Sequence, residues 1–228
     1  MTEPPALKTR PCAAQALNYR EPVVTRVAGL LLAAGGGTRL GQPKATVQLG
    51  RMTLAERGTA LLCGGGADPV LVVTGAAPVE IPGTVTVHNP DWRSGMGSSL
   101  AAGLRALTAP GLLASDDVTA VVIALADQPL TGAEAVRRLI AAHAAGAAVA
   151  VAAYQGKGRN PVLIARGHWA AALDTAAGDT GARPFLRARP ELVTLVECGD
   201  VGSPDDIDTP QDLARVRSRL IPERDRSR

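Results

Sequence analysis

The chain has 228 residues, 46% hydrophobic and 20% charged, the balance of a globular protein long enough to bury a sizeable core. Only 2% of residues are aromatic, so the core must be built from Ala, Val, Leu and Ile, and base-stacking nucleic-acid modules are disfavoured. The net charge of +3 comes from scattered arginines, and the three cysteines (Cys12, Cys63, Cys198) are odd in number and far apart, so neither a nucleic-acid or membrane partner nor a disulfide or zinc framework is indicated.

Residues 1–25 hold Pro4, Pro5, Pro11 and Pro22 without apolar periodicity and read as a flexible arm. An apolar run from Val27 to Ala33 suits a strand buried on both faces. Similar runs follow at 70–73, 85–87, 121–125, 149–152, 162–164 and 192–196. Stretches with helical spacing lie between many of them, at about 52–63, 97–107, 132–145 and 168–175, with another at 210–220. This alternation predicts an α/β, Rossmann-like domain over 26–221, with a mostly parallel sheet flanked by helices, and a charged tail over 222–228. No repeat or internal linker divides it, so a single domain is expected. No apolar run nears the roughly 18 residues of a membrane span, and no signal-peptide pattern opens the chain. A cytoplasmic setting is the expectation.

The first strand runs into Ala33-Ala34-Gly35-Gly36-Gly37-Thr38-Arg39-Leu40-Gly41-Gln42-Pro43-Lys44. Glycines let backbone approach a ligand closely and turn N–H groups toward anionic oxygens. Arg39 adds a fork of donors and Lys44 a mobile point charge. Lys44 is one of only three lysines, with Lys8 and Lys157. The bland reading is a glycine-rich turn; the basic residues favour phosphate binding. The segment lacks the GK[ST] of a P-loop, and Gly35, Gly37 and Gly41 are spaced one residue too widely for a dinucleotide fingerprint.

The strand over 121–126 runs into Asp127-Gln128-Pro129. Ligands of open parallel sheets bind beyond the strands' carboxyl ends, and Mg²⁺ takes one or two carboxylates together with phosphate oxygens and water. Asp127 could supply the first carboxylate, although on its own a turn or N-cap aspartate is the better reading. Asp205-Asp206-Ile207-Asp208-Thr209-Pro210 precedes the final helix. Thr209 and Pro210 suit a helix start, which leaves Asp208 as a candidate second metal ligand.

In order along the chain, these segments resemble the NTP-transferase-like glycosyltransferase-A family, and in particular its MobA-like members and their molybdenum cofactor cytidylyltransferase branch. The resemblance is carried by 32–44, by Asn89-Pro90-Asp91-Trp92-Arg93-Ser94-Gly95-Met96-Gly97-Ser98-Ser99-Leu100 with Gly103-Leu104, by 126–129, by Asn160-Pro161-Val162-Leu163, by Gly178-Asp179-Thr180-Gly181-Ala182-Arg183 and by 206–210. It implies transfer of a nucleoside monophosphate from a Mg²⁺-bound NTP to a phosphorylated acceptor, with molybdopterin the leading candidate, and release of pyrophosphate. It implies that Ala33, Ala34 and Gly35 border base and sugar, that Gly37, Arg39 and Lys44 hold the triphosphate, that Asp127 and Asp208 bind Mg²⁺, and that Ser99 lies on the base side. It places Asp179 and Arg183 on the acceptor side, with Asn160 and Trp92. Asp179 could equally be a helix N-cap, and Trp92 could simply fill core. The small-molecule substrates are thus CTP or another NTP and the acceptor, with a molybdoenzyme or maturation chaperone as possible protein partner.

Two details vary within the resemblance. Asn160 stands where this branch usually carries His, and a neutral amide cannot carry an imidazole's charge. Ala33-Ala34-Gly35 is the pattern that goes with CTP, whereas Ala-Gly-Gly goes with GTP. Competing readings are another phosphorylated acceptor, an NAD(P)-dependent oxidoreductase using the same glycine loop, and a nucleotide-binding regulatory module. The glycine spacing, Lys44 and Asp127 argue against the oxidoreductase, and the presence of Arg39, Lys44, Asp127 and Asp208 argues against the regulatory module.

Overall fold

The apolar runs form one seven-stranded sheet that helices cover on both faces. The computed structural model describes residues 26–110 and 117–220, so the expected arm over 1–25 and tail over 222–228 lie outside the described residues. In chain order come β1 (Arg26–Leu32), a small hairpin of β2 (Gln48–Leu49) and β3 (Met52–Thr53), α1 (Leu54–Gly64), β4 (Val70–Thr74) and β5 (Val85–His88). Next are α2 (Met96–Thr108), β6 (Val118–Leu125), α3 (Ala133–Ala144), β7 (Val149–Tyr154) and β8 (Lys157–Ala165). The chain then forms α4 (Trp169–Thr175), α5 (Arg183–Ala188), β9 (Val193–Glu197) and α6 (Pro210–Leu220).

The strand order is β5-β4-β1-β6-β8-β7-β9. Every neighbouring pair is parallel except those made by β8, which runs antiparallel to both β6 and β7. The mostly parallel, Rossmann-like single domain expected from the sequence is therefore the fold, and the runs at 27–33, 70–73, 85–87, 121–125, 149–152, 162–164 and 192–196 lie in its strands but for Ala33 and Leu192 at their ends.

Alternate residues of each strand serve opposite faces. In β1, Val27 and Leu31 face a core shared with Leu61 and Leu62 of α1 and Val136 and Leu139 of α3. Ala28, Leu30 and Leu32 face the other core, shared with Leu100 and Leu104 of α2, Trp169 of α4 and Phe185 of α5. A third, smaller cluster joins Leu40, Val47, Leu49 and Leu54 to Ile207, Leu213 and Val216. It fastens α6 to the segment after β1, although the two are far apart in the chain.

Local signals fix the helix starts. Thr53 and Glu56 form a reciprocal capping box on α1. Thr209 and Asp212 do the same on α6: Asp212 N–H donates to Thr209 Oγ1 (3.2 Å) and Thr209 N–H to Asp212 Oδ2 (3.0 Å), with Pro210 as the first helical residue.

Candidate active site

The strand carboxyl ends meet at the middle of the sheet. Ala33 N–H donates to Val73 O (2.9 Å) and Ala126 N–H to Leu32 O (3.1 Å), so the loops after β1, β4 and β6 leave from one level. The loop after β1 folds on itself. Leu40 and Gly41 N–H both donate to Gly37 O (2.9 Å each), and Lys44 N–H donates to Gly35 O (3.2 Å). Gly37 has φ +60°, and a Cβ there would collide with the carbonyl oxygen of Gln42, so no other residue fits. Among the described residues, the amides of Gly35, Gly36, Gly37, Thr38 and Arg39 donate to no protein group. Such a run of free N–H groups is an anion-binding concavity.

Lys44 begins a 3-10 turn after this loop, and its ammonium lies between two carboxylates. It donates to Asp127 Oδ2 at 2.7 Å and to Asp208 Oδ1. Arg39 donates to Asp208 Oδ2 at 2.9 Å. The loops carrying the two aspartates are pinned together by Ile207 N–H donating to Asp127 O (2.8 Å). The structure thus brings together four residues singled out in the sequence: Arg39, Lys44, Asp127 and Asp208.

The electrostatics follow from this packing. Burial alone would lower the Lys44 pKa, but the Asp127 charge and hydrogen bonds to both carboxylates outweigh it and raise the pKa above the ordinary lysine value. The hydrogen bond from Lys44, aided by the charges of Lys44 and Arg39, holds Asp208 below the usual carboxylate range despite partial burial. Asp206, which the sequence reading left unassigned, accepts from Gln128 Nε2 at 2.6 Å. Burial pushes its pKa up, and the charges of Asp127 and Asp208 push the same way against the Gln128 hydrogen bond.

Asp127 Oδ1 is buried and has no hydrogen-bond partner. An orphaned carboxylate oxygen beside a second carboxylate is the donor set a hard divalent cation seeks when phosphate oxygens and water complete its shell. The two aspartates therefore fit Mg²⁺. Among the described residues there is no group of three or more His, Cys, Asp or Glu that could hold a metal by itself.

The base-side residues sit deeper. Ala33 and Ala34 are buried, Gly35 is exposed, and Trp92 packs over the loop: a Cβ at Gly36 would lie 2.9 Å from its ring. Trp92 carries the Arg93 guanidinium 4.4 Å from its ring centre. It packs beside the glycine loop and is absent from the residues lining the large cleft described below. Ser99 is buried, and its hydroxyl accepts from Asn89 Nδ2 at 3.0 Å, while the same amide donates to Ser98 at 2.9 Å. The glycines at the start of α2 do not open a pocket. Cβ atoms at Gly95 or Gly97 would run into the backbone of Gly178 or Ala177.

A cleft of about 820 Å³ is lined by Leu32 of β1, Leu125 of β6, Val151 of β7, Val162 of β8 and Leu186 of α5. Asn160 lines it from an irregularity in β8, where Val151 pairs with Val162 and Ala152 with Arg159, leaving Asn160 and Pro161 as extra residues. Such bulges re-aim side chains. Arg183, at the start of α5, also lines it, with Thr180, Gly181 and Arg187. Asp179 does not cap α5, whose N-cap residue Ala182 makes no side-chain bond; its Oδ1 lies 2.7 Å from where a Gly95 Cβ would stand. Arg159, Arg187, Asp206 and Gln128 are polar cleft residues that the sequence reading missed. Their signal was closeness in the chain to Asn160, Arg183, Asp208 and Asp127.

A doubly covered, mostly parallel sheet with an amide-lined loop facing a lysine and two carboxylates defines a nucleotidyltransferase. The chain belongs to the MobA-like NTP transferase domain family, whose model matches residues 29–193. It is 36% identical over 204 residues to nicotine blue oxidoreductase of Paenarthrobacter nicotinovorans, covering 83% of this chain and 96% of that protein. Its structure resembles that of the Mycobacterium tuberculosis Rv0371c homologue from Mycobacterium sp. strain JC1 (TM-score 0.73, 30% identity, 86% of this chain and 96% of that one). It also resembles 2-C-methyl-D-erythritol 4-phosphate cytidylyltransferase of Thermus thermophilus (TM-score 0.61, 26% identity, 86% and 98% covered). No helix among the described residues is long and apolar enough to cross a membrane.

Proposed function

We propose that the protein transfers CMP from Mg²⁺-bound CTP to the phosphate of a small acceptor, with molybdopterin the leading candidate, in the cytoplasm. The observation that carries this reading is the row of free amides from Gly35 to Arg39 facing Lys44, Asp127 and Asp208. An acceptor phosphate oxygen forms a bond to the α-phosphorus as the bond to the β-phosphate oxygen breaks, and pyrophosphate leaves with that electron pair. A deprotonated phosphate needs no general base, so the protein's task is positioning and charge neutralisation.

The glycine-loop amides and Lys44 would hold the β- and γ-phosphates, and Arg39 would add its fork. Asp127 and Asp208 would hold Mg²⁺, which when bound neutralises charge on the phosphate oxygens. Ala33, Ala34, Trp92 and Ser99 would bound the base. Asn160, Arg183 and the Asp179 loop would meet the acceptor. The cytidylyltransferase activity in the name of the Thermus protein and the Ala33-Ala34-Gly35 pattern both favour CTP. A molybdoenzyme or its maturation chaperone would be the recipient of the product.

The name of the Paenarthrobacter relative supports a second reading, an NAD(P)-dependent oxidoreductase. A thermal-shift panel of CTP, GTP, ATP, UTP and NADPH, each with and without Mg²⁺, separates the two, because a ligand stabilises the folded state it binds. The proposal expects the largest shift with CTP plus Mg²⁺. A shift confined to NADPH and indifferent to metal would replace it with the second reading.

A further inference from the structure

Three arginines line the large cleft: Arg159 from β8, and Arg183 and Arg187 from α5. The only acid among the described residues lining it is Asp206, which is already hydrogen-bonded by Gln128. Among the described residues, Arg159 bonds only the carbonyl of its neighbour Gly158, at 3.1 Å. Arg183 and Arg187 make no hydrogen bond or ion pair among the described residues, whereas Arg189, just beyond, is taken by Glu191 at 2.9 Å. Residues four apart on a helix share one face, about 6 Å apart along the axis, so the two forks can close on one anion.

These cations are separate from those at the carboxylates. Arg39 and Lys44 come from the glycine loop and already face Asp127 and Asp208. The cleft lining also carries apolar Ile123, Leu125, Val151 and Val193. A phosphate about to attack a nucleotide must lie at the Asp127 and Asp208 end, which leaves the arginines of α5 with no charge to meet.

Resting on the nucleotidyl-transfer reading, we propose that the acceptor carries a second anionic group, beyond its reacting phosphate, on an apolar body, and that Arg183 and Arg187 grip that group. Guanidinium forks match carboxylate and phosphate alike. The acceptor class is therefore an apolar-bodied compound bearing a phosphate and a further carboxylate or phosphate; molybdopterin, a polar pterin with one phosphate, lies outside that class, so this inference favours another phosphorylated acceptor over it.

The test is calorimetric titration of the full chain with phenyl phosphate and with 4-carboxyphenyl phosphate, which differ only in the second anion. The wild type should bind the second probe about tenfold or more tightly, the size of one charge-assisted contact. Arg183→Gln with Arg187→Gln should abolish that preference, and Arg183→Lys with Arg187→Lys should retain part of it. Circular dichroism melts of each variant confirm that it is folded. Equal binding of the two probes, no binding of either, or a preference that survives the double glutamine variant would overturn the proposal. The Mg²⁺·CTP thermal shift reports on the nucleotide reading separately, so failure of one is not mistaken for failure of the other.

Discussion

Lys44 and Asp127 are separated by 83 positions in the chain, yet the lysine ammonium donates to Asp127 Oδ2 at 2.7 Å. Because the same ammonium bonds Asp208, it occupies the ground between the two carboxylates that a cation would take. Lys44→Ala should lower CMP transfer by about 100- to 1000-fold, the loss usual when one charge-stabilising donor is removed. Lys157→Ala, on the exposed start of β8, should stay within about twofold. Mg²⁺ without nucleotide should raise the melting temperature of Lys44→Ala more than that of the wild type. Equal metal responses would show that lysine and cation do not compete.

Asp127→Asn keeps the shape of the side chain and the backbone acceptor for Ile207, so the domain should fold. Loss of a partly buried charge-assisted bond costs about 1.5–3 kcal/mol, visible in a denaturant melt. Mg²⁺-dependent turnover should fall by about 100-fold or more. Full activity across a Mg²⁺ titration would remove Asp127 from the metal site.

Base choice should depend on how Ala34 seats Trp92. A Cβ on Gly75 would lie 2.6 Å from the Trp92 Cβ and 2.8 Å from the Ala34 Cβ, so these groups crowd one point. Overpacking costs about 1–3 kcal/mol, enough for about a five- to hundredfold preference for CTP over GTP in kcat/KM. Ala34→Gly should erode that preference, mainly by improving GTP use. A wild type that prefers GTP would refute the base assignment, and an unchanged ratio would move selection to Ser99.

A pH effect is expected away from the site. Glu197 Oε1 and Oε2 accept from the amides of Gln155, Gly156 and Gly199 at 3.0–3.1 Å. The Gly156 amide first, then Gly199, holds the carboxyl below its ordinary 4.5. A depressed carboxyl stabilises the fold above the unfolded value and loses that contribution as pH falls through the folded value. Glu197→Gln should therefore melt below the wild type at pH 7, and the gap should close as pH drops below 4.5. A gap that persists in acid would mean the charge is not what matters.

The strands were legible because each is a continuous apolar run, and buried parallel strands need no alternation. The reversed direction of β8 was not legible, because the apolar runs at 149–152 and 162–164 leave nine residues between them, and only in the structure do the strands extend to Tyr154 and Lys157. Gln155-Gly156 is a two-residue link, too short for a parallel crossover, and both residues have positive φ (55° and 73°) as hairpin turns require. The β2–β3 hairpin and α5 were not legible. Two-residue strands and a six-residue helix are shorter than the patterns that reveal them. In the site, Arg39, Lys44, Asp127 and Asp208 stood out by residue type at strand ends and loop positions. Asp206 and Gln128 did not, since their pairing exists only once two loops distant in sequence are pinned together.

The cluster that joins Leu40, Leu49 and Leu54 to Ile207, Leu213 and Val216 has a consequence for how the enzyme comes into being. The glycine loop and Asp127 are translated long before Asp208, yet it is α6, docked on that cluster, that delivers Asp208 to them. On the proposed reading, a chain cut short before Asp208 would keep the glycine loop and Asp127 but lack the second carboxylate, and is expected to bind nucleotide without turning it over.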